Sequence, residues 1–416
     1  MNINYKEIES KINMCLNCKM KPCSLKGCPL NNNIPDFISA IKEEKYEKAY
    51  EILTETTVLP SICGRICPHF KQCMGSCVRG IRGKPVEIGA LEAFVGDMAI
   101  KNNYKIKKQK LNHKKIAIIG GGPAGLTAAA FLAKNGNIVT IFEKYDYLGG
   151  LLIHGIPEFR LSKEIVKKSI DKILELGIEV KYNKELGKNL FLDELEKEYD
   201  NIILAFGANV STKMKIEGEN LYGVYGSNEL LEFGKHPDYT GKTVIVNGGG
   251  NVAMDAARTI KRLGAKKVIV TYRRAREQMP AEQKEIEDAI NEGIEFLFQH
   301  NIAKILGDEK VRGIEVVKTE LVKKEGENRL SPVNIKDSNY EIKADYVVMA
   351  IGSKPSELVK NLPFEVDKRG YIKVNENGLT SNPKIYAIGD LAGNIATVAW
   401  AAKTGRDVAE IIKKSI

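Results

Sequence analysis

The sequence predicts an α/β protein in which two Rossmann-like units, one inserted into the other, follow an α-helical, cysteine-rich domain. A glycine-rich turn follows an apolar, strand-like run at two places, Gly120 and Gly248. From residue 116 onward, apolar runs alternate with helical patterns, which is typical of a parallel sheet with crossover helices. All eight cysteines lie between Cys15 and Cys77, so the N-terminal quarter of the chain is organised differently from the rest.

Length and composition limit the possible classes of protein. A chain of 416 residues, 43% of them hydrophobic, is long enough for two or three domains with cores of their own. The charged N-terminus and the lack of a long uncharged run indicate a cytoplasmic protein without a membrane segment. The formal charge of +10 favours a solvated lysine-rich surface over nucleic-acid binding, and it could also steer a small acidic electron carrier.

The first 110 residues contain short helical patterns. Apolar residues recur at helical spacing over residues 36–53, and a second helix is predicted over residues 88–100. The lysine-rich run at residues 101–115 is predicted to be an exposed linker.

The cysteines form two groups whose spacing favours iron–sulfur ligation over disulfides. The groups are Cys15-x2-Cys18-x4-Cys23-x4-Cys28-Pro29 and Cys63-x3-Cys67-Pro68-x4-Cys73-x3-Cys77. Four thiolates hold one [4Fe–4S] cube, so eight thiolates could hold two. Zinc remains the minor alternative because it prefers paired CxxC motifs or Cys/His mixtures, and this region offers one CxxC and the single histidine His69.

Residues 114–143 carry the first dinucleotide-binding pattern. A predicted strand meets the turn Gly120-x-Gly122-x-x-Gly125, a helix of small residues follows, and a second strand ends at Glu143. The glycines allow a tight turn and a close approach of backbone N–H groups to a pyrophosphate at the helix N-terminus. The carboxylate of Glu143 can accept hydrogen bonds from a ribose.

A second pattern of the same kind follows a strand predicted at residues 243–246. Its residues are Gly248-x-Gly250-x-x-Ala253, followed by Arg273 and Arg274. The two arginines occupy the position that Glu143 has in the first pattern. Arginine accommodates a 2′-phosphate that a carboxylate would repel, so this site is interpreted as an NADP(H) site. The alternative is a pair of surface arginines without a ligand.

The first site is predicted to hold FAD. Near the C-terminus, the run at residues 384–390 ends at Asp390, where a carboxylate can meet the ribityl chain of a flavin. A helix N-terminus near residues 395–398 could offer backbone N–H groups to the isoalloxazine edge. The predicted domains are an α-helical [4Fe–4S] domain at residues 1–112, a FAD-binding domain at residues 113–236 and 346–416, and an NADP(H)-binding domain at residues 237–345.

No cysteine lies near either dinucleotide-binding pattern. The redox-active cysteine pair of disulfide-reducing flavoproteins is therefore missing from these patterns. A flavin accepts a hydride and releases single electrons, which is the conversion needed between NADPH and one-electron clusters. Hydride transfer depends on positioning, so no catalytic acid–base pair is expected.

These residues make the chain resemble a known family over nearly its whole length. The distinctive segments are LPSICGRICP at residues 59–68, FEKYDYLGGLLIHGIPEFRL at residues 142–161 and TYRRAREQMPA at residues 271–281. The family is that of the small (beta) subunit of bacterial NADPH-dependent glutamate synthase. It includes the large subunit of NADH-dependent ferredoxin:NADP oxidoreductase and the N-terminal half of dihydropyrimidine dehydrogenase.

The resemblance implies FAD, NADPH and two [4Fe–4S] clusters. It implies that one cluster is held by Cys28, Cys67, Cys73 and Cys77. The other would be held by Cys15, Cys18, Cys23 and a non-cysteine ligand, for which Glu92 is the candidate. Cys63 would then be a thiol beside a cluster. The alternative is that Glu92 is an ordinary glutamate at the edge of the core and that Cys63 is the fourth ligand.

The patterns and the resemblance together give the residues expected to bind the two dinucleotides. They are Gly120, Gly122, Pro123, Ala124, Gly125, Glu143, Lys144, Gly150, Leu151, Arg160, Gly207, Gly248, Gly250, Asn251, Val252, Ala253, Arg273, Arg274, Gly352, Gly389, Asp390 and Thr397. The chain departs from the family in having Ala205-Phe206-Gly207-Ala208 instead of ATGA and His154 where an aromatic or basic residue is common.

Three functions follow from this sequence. The first is an NADPH-dependent oxidoreductase that passes electrons through FAD and the clusters to a glutamate synthase large subunit, which makes glutamate from glutamine and 2-oxoglutarate. The second is a subunit of a ferredoxin-linked or electron-bifurcating transhydrogenase. The third is a redox-sensing module whose clusters regulate a bound partner.

Overall fold

The computed structural model describes residues 5–323 and 330–414 of the chain. The chain divides into two compact units. The first unit takes in Met1–Ile153, Glu158–Ala208 and Glu357–Ile416, and the second takes in His154–Pro157 and Asn209–Ser356. Among the described residues, no helix is long and apolar enough to cross a membrane.

Helices and strands are named here in chain order. The helices are α1 (Tyr5–Ile12), α2 (Ile34–Lys42), α3 (Tyr46–Thr54), α4 (Pro60–Ile66), α5 (Ile88–Asn102), α6 (Pro123–Lys134), α7 (Leu151–His154), α8 (Lys163–Leu174), α9 (Leu192–Glu198), α10 (Ser227–Phe233), α11 (Asn251–Arg262), α12 (Gln283–Asn291) and α13 (Val398–Lys414). The strands are β1 (Lys115–Ile119), β2 (Ile138–Phe142), β3 (Glu179–Lys181), β4 (Asn201–Leu204), β5 (Val210–Ser211), β6 (Val224–Gly226), β7 (Thr243–Asn247), β8 (Lys267–Tyr272), β9 (Glu295–Phe298), β10 (His300–Gly307), β11 (Val311–Val322), β12 (Ser331–Asn334), β13 (Tyr340–Lys343), β14 (Tyr346–Met349), β15 (Ser353–Lys354) and β16 (Ile385–Ala387).

The helical pattern at residues 36–53 is divided between α2 and α3. Glu44 lies between them with a φ of +57°, and the Lys45 amide donates to the Ala40 carbonyl, which ends α2. After this turn, Leu53 of α3 is buried in the same core as the apolar side chains of α2. The prediction of one helix over these residues is wrong, because the apolar spacing continues across the turn.

The helix predicted at residues 88–100 is confirmed as α5, and α4 packs closely against it. A Cβ added at Gly64 would lie 2.4 Å from the Ala93 amide nitrogen, and one added at Gly96 would lie 2.4 Å from the Ser61 nitrogen. The two glycines therefore allow the backbones of α4 and α5 to touch, which a larger residue would prevent.

The first unit contains a parallel sheet with the strand order β16-β4-β1-β2-β3. Leu204 at the end of β4 pairs with Ile119 at the end of β1 and with Ala387 at the end of β16. Ile119 also pairs with Phe142 at the end of β2. Because the strands are parallel, the segments that follow them emerge at one edge of the sheet, where ligands bind in folds of this class.

Two helices of the first unit pack on each other beside this sheet. A Cβ added at Gly405 of α13 would lie 2.3 Å from the Ala124 carbonyl oxygen of α6. The glycine thus allows α13 to approach the first turn of α6.

The second unit contains a parallel sheet with the order β6-β14-β7-β8-β9. Asn247 at the end of β7 pairs with Thr271 of β8 and Met349 of β14, so the loops after these strands share one edge. β6 and β14 were expected to belong to the domain outside the insertion. The predicted boundaries at residues 236/237 and 345/346 therefore lie inside this unit, because a three-residue strand such as β6 leaves no clear signal in the sequence.

The second unit also contains antiparallel pairs. β11 pairs with β10, β12 and β13, and β5 pairs with β15. The sequence predicts neither β12 nor β13. Most side chains of these two four-residue strands are exposed or half-buried, so no alternation of apolar and polar residues marks them.

Candidate functional site

The first glycine-rich turn connects β1 to α6. Gly120 has a φ of +105°, and a Cβ added at Gly125 would lie 2.0 Å from the Gly120 carbonyl oxygen. At Gly122, by contrast, an added Cβ meets nothing within 4 Å. Gly122 caps α6 and Pro123 begins it, so N–H groups of the first helical turn face an open space that fits an anionic pyrophosphate.

Glu143, directly after β2, is held against this turn. Its Oε2 accepts a hydrogen bond of 2.8 Å from the Gly121 amide, and its Oε1 accepts one of 3.1 Å from the Tyr145 amide. The residue is buried. Lys144 is exposed and its ammonium lies 4.4 Å from the centre of the Tyr145 ring.

The segment after Glu143 folds back onto the turn. The Gly149 amide donates to the Gly121 carbonyl at 2.8 Å, and a Cβ added at Gly150 would lie 3.1 Å from the Gly122 Cα. Leu151 begins α7 next to this contact. Arg160 lies further along, half-buried in the turn that precedes α8.

The C-terminal segment reaches the same turn. A Cβ added at Gly389 would lie 3.0 Å from the Ala124 Cβ, and the Gly389 amide donates to Thr404 Oγ1 of α13. Burial raises the pKa of the neighbouring Asp390 carboxyl to about 6. Thr397 precedes α13, and its hydroxyl accepts a hydrogen bond from the Trp400 amide.

These contacts bring the predicted residues of the first site together at the carboxyl edge of the first sheet. Gly207 also lies at this edge, with a φ of +73° just after β4. The arrangement fits FAD, because an open glycine turn adjoins two carboxyl groups. One of these carboxyl groups, Asp390, is partly desolvated, and hydroxyl donors of a ribityl chain would compensate for that cost.

The second glycine-rich turn connects β7 to α11. Gly248 has a φ of +152°, and its added Cβ would lie 2.1 Å from the Ala350 carbonyl oxygen. At Gly250 the nearest atom to an added Cβ is 4.0 Å away. This second turn therefore has the same tight base and the same open central glycine as the first.

The residues around the second turn are placed by short contacts. Asn251 Oδ1 accepts a hydrogen bond of 2.9 Å from the Glu282 amide, so the segment before α12 folds over the turn. Val252 is partly exposed and Ala253 is buried in the core. Gly352 lies beyond β14 with a φ of +127°.

Arg273 and Arg274 follow β8 directly. Their carbonyls accept hydrogen bonds from the Thr319 hydroxyl and the Gln299 amide, which fixes the backbone. Arg273 is exposed, and Arg274 is half-buried with its Nε donating to the Leu330 carbonyl at 3.2 Å. Among the ion pairs of the described residues, neither guanidinium has a carboxylate partner, and a 2′-phosphate would supply the negative charge.

Four cysteines of the first unit line one cavity. They are Cys15, Cys18, Cys23 and Cys77. The structure thus brings Cys77 to Cys15, Cys18 and Cys23, whereas the resemblance implies that it joins Cys28. The single turn of π-helix at Cys23–Gly27 lies against the segment around Cys73, where an added Cβ at Gly27 would be 2.8 Å from the Cys73 Cα. This packing brings the chain after Cys73 to the first group of cysteines.

The remaining thiols share a second, more buried place with a carboxyl group. Its members are Cys28, Cys63, Cys67, Cys73 and Glu92. The hydrogen bond with Cys63, together with burial, raises the pKa of Cys67. Burial, followed by the negative charge of Glu92, raises the pKa of Cys28 to about 12 and also raises that of Cys73. These interactions bring Glu92 to this group of thiols, whereas the resemblance implies that it joins Cys15, Cys18 and Cys23.

Glu92 itself lies on α5 and is 6% exposed. Burial raises its pKa to about 8, although a hydrogen bond of 3.1 Å donated by Asn32 acts in the opposite direction and lowers the pKa. Asn32 is a contributor that the sequence analysis missed, because a run of three asparagines before α2 reads as a loop. A buried carboxyl among buried thiols is costly without a cation, and an iron–sulfur cluster would offset that cost.

The fit to a metal centre rests on this grouping. All eight cysteines are free thiols. Within the described residues no three Cys, His, Asp or Glu side chains converge tightly enough to bind a single ion. Four thiols in the cavity and four thiols with one carboxyl group in the core are enough donors for two four-iron cubes, each of which takes one ligand per iron.

Comparison with protein families matches both parts of the chain. The sequence model of the pyridine nucleotide-disulphide oxidoreductase family matches residues 114–405. That of dihydropyrimidine dehydrogenase domain II, 4Fe-4S cluster, matches residues 2–104.

Individual relatives extend over nearly the whole chain. The glutamate synthase [NADPH] small chain of Escherichia coli (strain K12) is 35% identical over 97% of this chain and 90% of its own length. The NADP(+)-dependent formate dehydrogenase subunit beta of Moorella thermoacetica is 35% identical over 93% of this chain and 59% of its own length.

Among solved structures, Mycobacterium tuberculosis FprA in complex with NADPH has a similar fold. The TM-score is 0.66 at 23% identity, over 73% of this chain and 84% of FprA. The predicted fold class, family resemblance and class of enzyme are confirmed. The chain belongs to the pyridine nucleotide-disulphide oxidoreductase family, in the group of the glutamate synthase small chains, and is an oxidoreductase that carries a 4Fe-4S domain ahead of its dinucleotide-binding region.

Proposed function

We propose that this chain oxidises NADPH and passes the electrons, through bound FAD and two [4Fe–4S] clusters, to a partner protein. One observation carries the proposal. A glycine turn flanked by Glu143 lies in the same compact unit as two separate groups of thiols. An enzyme that delivered its electrons to small molecules from the flavin alone would have no use for these thiols.

The first glycine turn would hold FAD. Gly122 leaves room for the pyrophosphate, Glu143 faces the turn where a ribose would lie, and Asp390 would accept hydrogen bonds from ribityl hydroxyls. The remaining residues proposed to surround FAD are Gly120, Pro123, Ala124, Gly125, Lys144, Gly150, Leu151, Arg160, Gly207, Gly389 and Thr397. A bound flavin supplies the conversion of a hydride into single electrons.

The second glycine turn would hold NADPH. Gly250 leaves the corresponding open space, and Arg273 and Arg274 would bind the 2′-phosphate that distinguishes NADPH from NADH. The residues proposed to support this site are Gly248, Asn251, Val252, Ala253 and Gly352.

The cysteine groups would hold the two clusters. We assign Cys15, Cys18, Cys23 and Cys77 to the cluster in the cavity. The assignment for the buried cluster is Cys28, Cys67, Cys73 and Glu92, with Cys63 as an adjoining thiol. Burial raises the pKa of Cys28 and Cys73, so these two would bind as thiolates only when the positive charge of iron compensates for desolvation.

Helix α13 contacts both kinds of site. Its Gly405 packs on Ala124 in the first turn of α6. The next residue, Arg406, donates hydrogen bonds to the carbonyls of Leu30 and Thr56. Leu30 lies two residues after Cys28. The buried cysteine group is therefore attached to the same helix that supports the proposed flavin site.

The partner is proposed to be a glutamate synthase large subunit, which would use the electrons to make glutamate from glutamine and 2-oxoglutarate. The support is the similarity to glutamate synthase small chains over nearly the whole chain. The chain is equally identical to a subunit of an NADP(+)-dependent formate dehydrogenase, so relatives at this level of identity belong to more than one enzyme. The second candidate is therefore a subunit of a different redox complex, a ferredoxin-linked or electron-bifurcating transhydrogenase.

Anaerobic purification with quantification of iron, acid-labile sulfide and flavin tests the cofactors. We expect about eight irons and one FAD per chain and bleaching of the flavin absorption by NADPH. Two zincs without sulfide would overturn the electron-transfer function. Glutamate formation on addition of a large subunit, compared with reduction of NADP+ by reduced ferredoxin, separates the two candidate partners.

A further inference from the structure

The two segments that carry the cysteines have an unusual charge distribution. Residues 12–35 and 56–86 contain eight lysines and arginines and no aspartate or glutamate. The chain as a whole has 63 basic and 53 acidic residues. These two segments, which have no carboxylate, therefore differ clearly in charge from the rest of the chain. The basic charge that looks evenly spread along the sequence is uncompensated here.

Most of these basic side chains also lack a partner in space. Lys21 pairs with Asp36 at 2.9 Å, and Arg65 pairs with Asp97 at 2.6 Å. Five further basic residues take part in none of the ion pairs of the described residues. They are Lys19, Lys26, Arg79, Arg82 and Lys84. Their charge is therefore available to a second molecule.

The same two segments expose large apolar side chains. Within residues 5–110, all the large apolar residues that are mainly exposed to solvent belong to them. They are Leu16, Met20, Leu25, Phe70, Val78 and Ile81. Met20 is 80% exposed and Ile81 is 78% exposed. A cluster of exposed apolar side chains marks a surface for interaction with another protein more often than a solvated surface.

Several of these residues line the cavity that contains the first group of cysteines. Leu16, Val78 and Arg79 line the cavity of Cys15, Cys18, Cys23 and Cys77. Lys26 lies in the π-helical turn that begins at Cys23. The second segment adjoins the first, since a Cβ at Gly27 would be 2.9 Å from the Ser76 Cβ. We define the basic rim as these three lining residues together with the exposed basic and apolar residues that lie within three positions of a lining residue along the chain, namely Lys19, Met20, Leu25, Lys26, Ile81, Arg82 and Lys84.

We propose that the basic rim is the docking surface for an electron-exchanging protein that presents acidic residues around an apolar centre. The proposal rests on the function proposed above and specifies the chemistry of its partner. Unpaired lysines and arginines attract acidic residues over a long range and raise the association rate. Exposed apolar side chains such as Met20 and Ile81 provide the area that is desolvated on contact. Docking here would bring the partner to the thiols that line the cavity.

The test compares two triple variants of the full-length holoprotein. Lys19→Glu/Lys26→Glu/Lys84→Glu reverses three charges of the basic rim. The matched control, Lys167→Glu/Lys343→Glu/Lys368→Glu, makes the same change in net charge at exposed lysines elsewhere. The acceptors are the neutral quinone menadione and an acidic [2Fe–2S] ferredoxin, each reduced with NADPH under anaerobic conditions. Because ferredoxin has a low potential, excess cytochrome c is added as the final oxidant of reduced ferredoxin, and the rate without ferredoxin is subtracted.

We expect the rim variant to reduce ferredoxin more slowly than the control variant, on the order of tenfold or more at low salt, with the difference shrinking as salt is added. Menadione reduction should be the same in both variants. Equal ferredoxin rates in the two variants, or no reduction of ferredoxin by the unmodified protein while menadione is reduced, would overturn the docking surface. Loss of menadione reduction in the unmodified protein would instead overturn the proposed function.

A second pair of variants tests the apolar part. Met20→Ser/Ile81→Ser should raise the KM for ferredoxin several-fold and leave the rate with menadione unchanged. Leu111→Ser/Phe191→Ser changes two exposed apolar residues outside the rim and should alter neither. An equal effect of both pairs on the KM would contradict the assignment.

Discussion

The side-chain amide of Asn32 donates a hydrogen bond of 3.1 Å to Glu92 Oε1, and both side chains are buried. One neutral hydrogen bond does not compensate for the desolvation of a carboxylate, so burial still raises the pKa of Glu92 from 4.5 to about 8. The residue is thus protonated near neutral pH in the cluster-free chain. It becomes a stable anion only if a positively charged group binds beside it.

This raised pKa gives a pH dependence of stability for the cluster-free protein. The folded state binds the Glu92 proton more tightly than the unfolded state does. The free energy of unfolding therefore falls as the pH rises from 4.5 to about 8, by up to about 5 kcal/mol. Glu92→Gln should remove this dependence and keep the bond to Asn32. Urea unfolding of the cluster-free protein at several pH values measures it, with the exposed Glu47→Gln as control. A slope unchanged by Glu92→Gln would contradict the prediction.

The grouping of the thiols predicts how much iron single and double cysteine variants lose. Cys15→Ala and Cys77→Ala should each remove one cluster, about four irons, and the double variant should lose no more than either single variant. Cys73→Ala/Cys77→Ala should lose both clusters, about eight irons, because its two residues lie in different groups. Iron analysis and electron paramagnetic resonance of the reduced protein distinguish the cases. If Cys73→Ala/Cys77→Ala kept one cluster, the grouping implied by the sequence would be right and the spatial one wrong.

The sequence predicted the parallel strands and both glycine turns because their signals are local. The strand at residues 243–246 and the helix at residues 88–100 follow from apolar runs bounded by glycine or polar residues. The same locality explains what was missed. The turn at Glu44 needs one residue with a positive φ, and no glycine or proline near Glu44 marks a turn in the sequence. The exposed strands β12 and β13 depend on pairing with β11, which is a tertiary effect.

The candidate sites show the same division. Glu143 and Asp390 could be placed at a glycine turn because parallel strands deliver them to one edge. The partners of Cys77 could not be placed, since the order of cysteines along a chain does not specify which of them meet in space. The basic rim was missed for a different reason. A net charge counted over the whole chain does not reveal that two segments contain no carboxylates.

Arg273 and Arg274 predict the preference for NADPH. In Arg273→Ala/Arg274→Ala the 2′-phosphate loses its charge-assisted hydrogen bonds, each of which contributes about 1.5–3 kcal/mol. With one such bond lost from each arginine, about 3 kcal/mol or more in all, the KM for NADPH should rise by about a hundredfold or more, and the KM for NADH should change little. Steady-state reduction of menadione with each nucleotide measures the ratio. Arg312→Ala, at an exposed arginine of the same unit, is the control. An equal rise in both KM values would mean that the arginines support the fold and do not select the nucleotide.

The two glycines of the first turn should respond in opposite ways to the same substitution. Gly122 has a backbone conformation that alanine adopts, and its Cβ would meet nothing within 4 Å. Gly122→Ala should therefore fold with unchanged thermal stability in the absence of flavin but lose FAD, since the methyl group occupies the space proposed for the pyrophosphate. FAD content after purification and the melting temperature of the flavin-free protein measure the two effects.

Gly125→Ala should instead lower the melting temperature of the flavin-free protein. Helix propensity alone would favour alanine by about 1 kcal/mol, but its Cβ would overlap the Gly120 carbonyl oxygen at 2.0 Å, and a backbone atom cannot move aside as a side chain can. Steric overlap therefore outweighs helix propensity at Gly125. At Gly122 the substitution affects FAD binding and not the stability of the flavin-free protein. A Gly122→Ala protein that retains one FAD per chain would show that the open side of this turn is not where the dinucleotide binds.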